Sequence, residues 1–133
     1  MCEFGFKLDV KKGVQQAVDT SGDVIFDSNK VKIIAKGDLN EDYGEYETTI
    51  VIVNSRNEAI SVDMDNFSVN GTEVDDFGFP TVPANCVMYY TLGIWSDDCP
   101  VEIKAIKTIS FEVQLSDADF DDVGSTEEVS IRF

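Results

Sequence analysis

The feature that most constrains this chain is a period-two alternation of apolar and polar residues, repeated along most of its length. In "AISVDMDNFSVNG" (Ala59 to Gly71), Ile60, Val62 and Met64 fall on one side and Ser61, Asp63 and Asp65 on the other. Successive strand side chains point to opposite faces, so such a run buries one face of a β-sheet and leaves the other wet. "TISFEVQLSD" (Thr108 to Asp117) repeats the pattern and is expected to bury Ile109, Phe111, Val113 and Leu115. β-Branched residues, which suit a pleated surface, crowd "DVIFD" (Asp23 to Asp27), "KVKIIAKG" (Lys30 to Gly37) and "TTIVIVNS" (Thr48 to Ser55). "VPANCVMYYTLGIW" runs as a strand from about Cys86, and "EEVSIRF" (Glu127 to Phe133) closes the chain as another.

Turn signals separate these runs: Ser28-Asn29, the Gly of "EDYGEYE", and Asn70-Gly71, the strongest short hairpin signal. "SDDCPVEIKAIKT" predicts a short helical turn with Ser96 as its N-cap. About seven strands at roughly ten-residue spacing predict an all-β fold, an antiparallel sandwich. The 133 residues amount to one domain, with a sandwich over 23–133 and an N-terminal extension over 1–22. In that extension Phe4, Phe6, Leu8 and Val10 alternate like a strand, while Val14, Ala17 and Val18 have helical spacing. The extension reads as an added edge strand plus a loop or short helix.

From Val24 to Phe133 the chain resembles an immunoglobulin-like domain widespread in Firmicutes proteins of unknown function. The residues that carry the resemblance are "VIFDSNKVKIIAKG", "IVIVNSRNEAISVDMDNFSVNG", "VPANCVMYYTLGI" and "IKTISFEVQLSD", with "VNS…ISV…SVNG" the most specific. The resemblance implies a sandwich fold and a cell-surface or lipoprotein setting, and it brings no catalytic residues. The chain departs from that pattern in its N-terminal extension and in showing no signal segment ahead of it.

Chemistry is narrowed mainly by what is missing. There is no histidine, which removes Ser-His-Asp and Cys-His catalysis and most zinc chemistry. Cys2, Cys86 and Cys99 lack metal-ligand spacing; their odd number fits reduced thiols, although Cys86 and Cys99 could pair in an oxidising compartment. Carboxylate pairs of the kind glycosidases use are uninformative among 26 acids, and no Gly-rich phosphate loop or basic stripe occurs. Tyr89, Tyr90 and Trp95 are expected as core and rim residues of the sandwich. The chain is expected not to be an enzyme. No apolar run is long enough to span a membrane; if Met1 is the native start the protein is expected to be cytoplasmic, and otherwise extracellular or at the cell surface.

The formal net charge is −16, and between Gly37 and Ile103 the only basic residue is Arg56. Such a chain repels nucleic acid and anionic membrane and attracts basic proteins or cations. Three acidic loops that also carry aromatics are the candidate partner-binding surfaces. The first, Asp38–Glu47, offers Asp38, Glu41, Asp42, Tyr43, Glu45, Tyr46 and Glu47; the second offers Glu73, Asp75, Asp76 and Phe77, with Phe79 beyond. The third, within "SDADFDDVGSTEE", offers Asp117, Asp119, Phe120, Asp121 and Asp122. Acidic rims steer a basic partner and aromatic anchors hold it.

The third loop is also a weak candidate calcium loop. Asp117, Asp119, Asp121 and Glu128 fall at positions 1, 3, 5 and 12 of the calcium-loop pattern, but Asp122 stands where the invariant Gly belongs. The flanks read as strands rather than helices, so the expected cofactor complement is none. Asn66-Phe67-Ser68 and Asn70-Gly71-Thr72 match the glycosylation sequon, which secretion alone would make relevant. The reading is a non-enzymatic protein-binding module for a basic partner. Its sharpest form is an intracellular inhibitor, phage-encoded and anti-CRISPR-like, occupying the nucleic-acid channel of a basic enzyme. The rival is an adhesive or structural module at a bacterial surface, which predicts a Cys86–Cys99 disulfide or an upstream anchor.

Overall fold

The computed structural model describes the backbone of residues 5–7 and all of residues 21–133. It is all-β, with two antiparallel sheets and one short 3-10 turn. The strands are β1 (Gly5–Lys7), β2 (Asp23–Ser28), β3 (Val31–Ala35), β4 (Asn40–Asp42), β5 (Glu45–Asn54), β6 (Ile60–Val69), β7 (Thr72–Glu73), β8 (Thr81–Val82), β9 (Cys86–Trp95), β10 (Thr108–Ser116) and β11 (Asp122–Arg132). One sheet runs β1-β9-β5-β3-β2, with β4 also on β5; the other runs β11-β10-β6-β7, with β8 also on β6. The expected edge strand of the N-terminal extension is present as β1, paired to Cys86, Val87 and Met88 of β9. The rest of that extension lies outside the described residues.

Alternation explains how the two sheets meet. Val31, Ile33 and Ala35 of β3, Ile50 and Ile52 of β5, and Met88, Leu92 and Ile94 of β9 face inward from the first sheet. Ile60, Val62 and Met64 of β6, the four expected residues of β10, and Val129 and Ile131 of β11 meet them from the second. Phe67 and Phe111 stack at the centre, ring centroids 4.8 Å apart. Fully burying a side chain of this size contributes about 2–3 kcal/mol, so the sandwich is held by this shared layer. A second buried cluster, Ile34, Val51 and Val87, lies on the opposite face of the first sheet.

Three two-residue hairpin loops set the register: Asn29-Lys30, Tyr43-Gly44 and Asn70-Gly71. All six residues have positive φ, the left-handed conformation that matches the twist of paired strands. The first turn sits one residue later than Ser28-Asn29, because Ser28 pairs with Val31. Asn70 is pinned further: its Oδ1 accepts from the N–H of Lys107 and Thr108, and its Nδ2 donates to the Ala105 carbonyl.

Two bulges alter the expected strands. In β6, Asn66 has φ +54 and adds one residue opposite β10. Alternation therefore changes phase, and Phe67 and Val69 turn inward. In β11, Gly124–Thr126 bulge opposite Gln114, whose side chain accepts from the Thr126 hydroxyl and donates to the Gly124 carbonyl. The last strand thus begins at Asp122, five residues before Glu127. The helical turn also differs from expectation: it spans Ile103–Ala105, preceded by Glu102 with no side-chain cap, and Ser96 caps nothing there.

Candidate interaction surface

β4 is built from residues that strands usually avoid, and backbone pairing to β5 holds it. The tip of the β4–β5 hairpin presents Tyr43 at 95% exposure, flanked by exposed Glu41 and Asp42. Glu45 and Glu47 lie on the outer face of the first sheet, where the Glu45 carboxylate crosses the space left open by Gly93. Two members of the expected set are committed to contacts within the fold. Tyr46 shares the inward parity of Thr48 and Ile50 and is buried in the core. Asp38 is an internal clamp: Oδ1 accepts from the Thr49 N–H at 2.8 Å and the Thr48 hydroxyl at 3.1 Å, and Oδ2 accepts from the Thr49 hydroxyl. Burial pushes the Asp38 carboxyl up, but these donors outweigh it and hold it below the usual carboxylate range.

Next to this hairpin runs the segment after β7. It follows the edge of β6 through bonds at Val74, Gly78 and Pro80, which turns alternate side chains outward. Phe77 and Phe79 are 68% and 63% exposed and lie nearly parallel, centroids 6.0 Å apart. With Gly78, Pro80 and Tyr90 they line a shallow groove of 340 Å³. The Asp76 carboxylate accepts from the Phe77 N–H. Partial burial pushes Asp76 above its ordinary range, and the nearby charges of Glu45, Asp75 and Asp98 push the same way. Burial likewise raises Tyr90, with Asp76 adding to it.

A third element was not among the expected site residues. The turn after β9 is tied to the hairpin tip by the Ser96 N–H to Gly44 carbonyl bond, and it carries Asp97 and Asp98. Trp95, at its start, is 57% exposed opposite Glu45. Parity was the available signal: Met88, Leu92 and Ile94 point inward, so Trp95 points out.

The Asp117–Glu128 loop is shorter than expected and lies elsewhere. Only residues 117–121 leave the ladder, because Asp122 pairs with Ser116 and Glu128 pairs with Glu112. Asp117, Asp119 and Asp121 do converge, ligand oxygens within 4.8 Å of one another. Glu128, inside a strand, is not the twelfth ligand of a calcium loop. Asp117 Oδ1 already accepts from the N–H groups of Asp119 and Asp121. Phe120, with φ +63, is 84% exposed at the tip. Ser116 pairs with Ser61 near the start of β6, and Asn54 at the end of β5 bonds to Glu58 and Val82 there. This loop therefore sits at the end of the sandwich opposite the β4–β5 hairpin, roughly 30 Å away along the ten residues of β5.

The remaining candidates resolve simply. Cys86 is disulfide-bonded and Cys99 is a free thiol, so the Cys86–Cys99 pair is not formed. The Asn66 amide donates to Glu112, and the Asn70 side chain is fully engaged as described above. Among the described residues no helix is long and apolar enough to cross a membrane. No family model and no curated protein matches the chain.

Proposed function

We propose that this chain is a non-enzymatic, immunoglobulin-like protein-binding module that docks a basic protein through one end of its sandwich. The footprint comprises the β4–β5 hairpin tip, the Asp75–Phe79 segment and the Trp95–Asp98 turn. The observation that carries this reading is the exposure of Tyr43, Phe77, Phe79 and Trp95 on elements that also carry Glu45, Asp75, Asp76 and Asp98. Exposed aromatics supply anchoring area and the carboxylates supply steering. A nucleic-acid-binding enzyme is the basic partner this charge suits best, since the protein would compete with a polyanion for the same channel. The Asp117–Asp122 acids, at the other end, are outside this footprint.

A second reading is favoured by one observation, the disulfide at Cys86. Disulfides persist in oxidising compartments, which suits a bacterial surface module. Immobilised protein offered host lysate at low and raised salt tests the docking reading. Capture should weaken steeply with salt and should be lost in a Tyr43→Ala, Glu41→Gln, Asp42→Asn variant. Capture that is indifferent to both changes refutes docking at this end.

A further inference from the structure

The Phe77–Phe79 pair has a chemistry narrower than general stickiness. Its rings stack 11° from parallel with centroids 6.0 Å apart, and both remain more than half exposed, so each offers aromatic surface to solvent. Gly78 lies between them, and a side chain there would meet the Tyr90 hydroxyl at 2.7 Å. The missing side chain therefore leaves room for that hydroxyl beside the groove that Tyr90 lines. Among the described residues, no Lys or Arg lines the groove. Asp76 sits at its edge, bonded to the Phe77 N–H and close enough to Tyr90 to raise its pKa. Exposed aromatic faces beside a cluster of carboxylates are complementary to a planar cation. A groove of 340 Å³ admits a side chain rather than a folded element.

We propose that this groove seats an arginine from an extended basic segment of the partner, its guanidinium stacked on Phe77 and Phe79 and its charge against Asp76. The inference rests on the protein-binding reading above and names its occupant. Arginine fits better than lysine because its guanidinium is planar, weakly hydrated and able to stack while donating hydrogen bonds. The Tyr90 hydroxyl and the Asp76 carboxylate are the acceptors for those donors.

The test uses a fluorescently labelled Ala-Arg-Ala-Arg-Ala-Arg peptide and its citrulline counterpart, which keeps the shape and loses the charge. Fluorescence anisotropy is read with wild-type protein, Phe77→Ala/Phe79→Ala and Asp76→Asn, each checked for a cooperative thermal transition that shows it is folded. The expected result is binding of the arginine peptide to wild type. Each of the two variants, and the citrulline peptide, should bind about tenfold more weakly. Equal affinity of wild type and the double variant, with loss in the Tyr43 hairpin variant instead, would overturn the arginine seat while leaving docking at this end intact. Failure of the arginine peptide to bind wild type at low salt overturns the seat outright, and the lysate experiment then judges the broader reading separately.

Discussion

Removing the Asp38 carboxylate should loosen the base of the β4–β5 hairpin, and the structure sets the size of the effect. Asp38→Ala takes the acceptor from three donors at once: the Thr49 N–H, the Thr49 hydroxyl and the Thr48 hydroxyl. A bond to a charged acceptor contributes about 1.5–3 kcal/mol when buried. This carboxylate is largely solvated, so solvent screening reduces each to about 0.5–1 kcal/mol. Thr48, only 1% exposed, is left with a buried hydroxyl lacking that partner. The sum is a loss of about 2 kcal/mol at neutral pH, measured by urea unfolding. Asp38→Asn keeps Oδ1 and should lose about half as much.

The pH dependence follows from the direction of the shift. The folded carboxyl titrates below its ordinary range, so the folded state binds that proton less readily than the unfolded chain. The stabilisation is complete above the unfolded value, near pH 4, and is lost as pH falls through the lower folded value. The gap between wild type and Asp38→Ala should accordingly be widest at pH 7 and narrow in acid. A gap under about 0.5 kcal/mol at pH 7, or one that stays constant into acid, refutes the clamp.

Other expectations concern the core, the surface and the thiols. Phe111→Ala removes one ring of the central stack at 0% exposure and should cost about 3–5 kcal/mol by denaturant titration. Asp76→Asn should raise the melting temperature at pH 7: a carboxyl whose folded value is raised destabilises the fold once it ionises, so the gain should vanish in acid where wild type is protonated. Iodoacetamide should modify Cys99 without reductant, whereas Cys86 should react only after reduction and unfolding; mass spectrometry of peptides distinguishes them. Asp117→Asn should change the melting temperature by the same amount with calcium or with a chelator, because Asp117 orders its loop through backbone N–H groups.

The strands were legible because parity is a local signal. Ile109, Phe111, Val113 and Leu115 are buried as alternation requires. Even the bulge in β6 left a trace, since the apolar series Ile60, Val62, Met64 resumes out of phase at Phe67 and Val69. The hairpin arm Asn40–Asp42 was hidden because its residues disfavour strands, and only pairing with Glu45–Glu47 makes it one. Gly124 and Ser125 read as loop for the same reason, although they belong to a bulged strand. Of the expected surface residues, Tyr43, Phe77 and Phe120 are exposed, whereas Tyr46 is buried. Counting parity back from Ile50 would have placed Tyr46 inside. Nothing local could bring Asp76 beside Glu45 and Asp98, or send Asp117 to the far end. Those relations come from how the sheets stack, which depends on contacts distant in sequence.

The Asn70-Gly71 turn also governs how the molecule ages. Asn-Gly pairs lose ammonia when the Gly amide nitrogen attacks the Asn side chain, which must swing free to be reached. Here that side chain is held at both ends, accepting from Lys107 and Thr108 and donating to Ala105. Conversion to aspartate would place an oxygen against the Ala105 carbonyl and add another negative charge to a chain already at −16. Folded protein should therefore keep its asparagine through long storage, while accumulated time in the unfolded state should convert this one site to aspartate or isoaspartate.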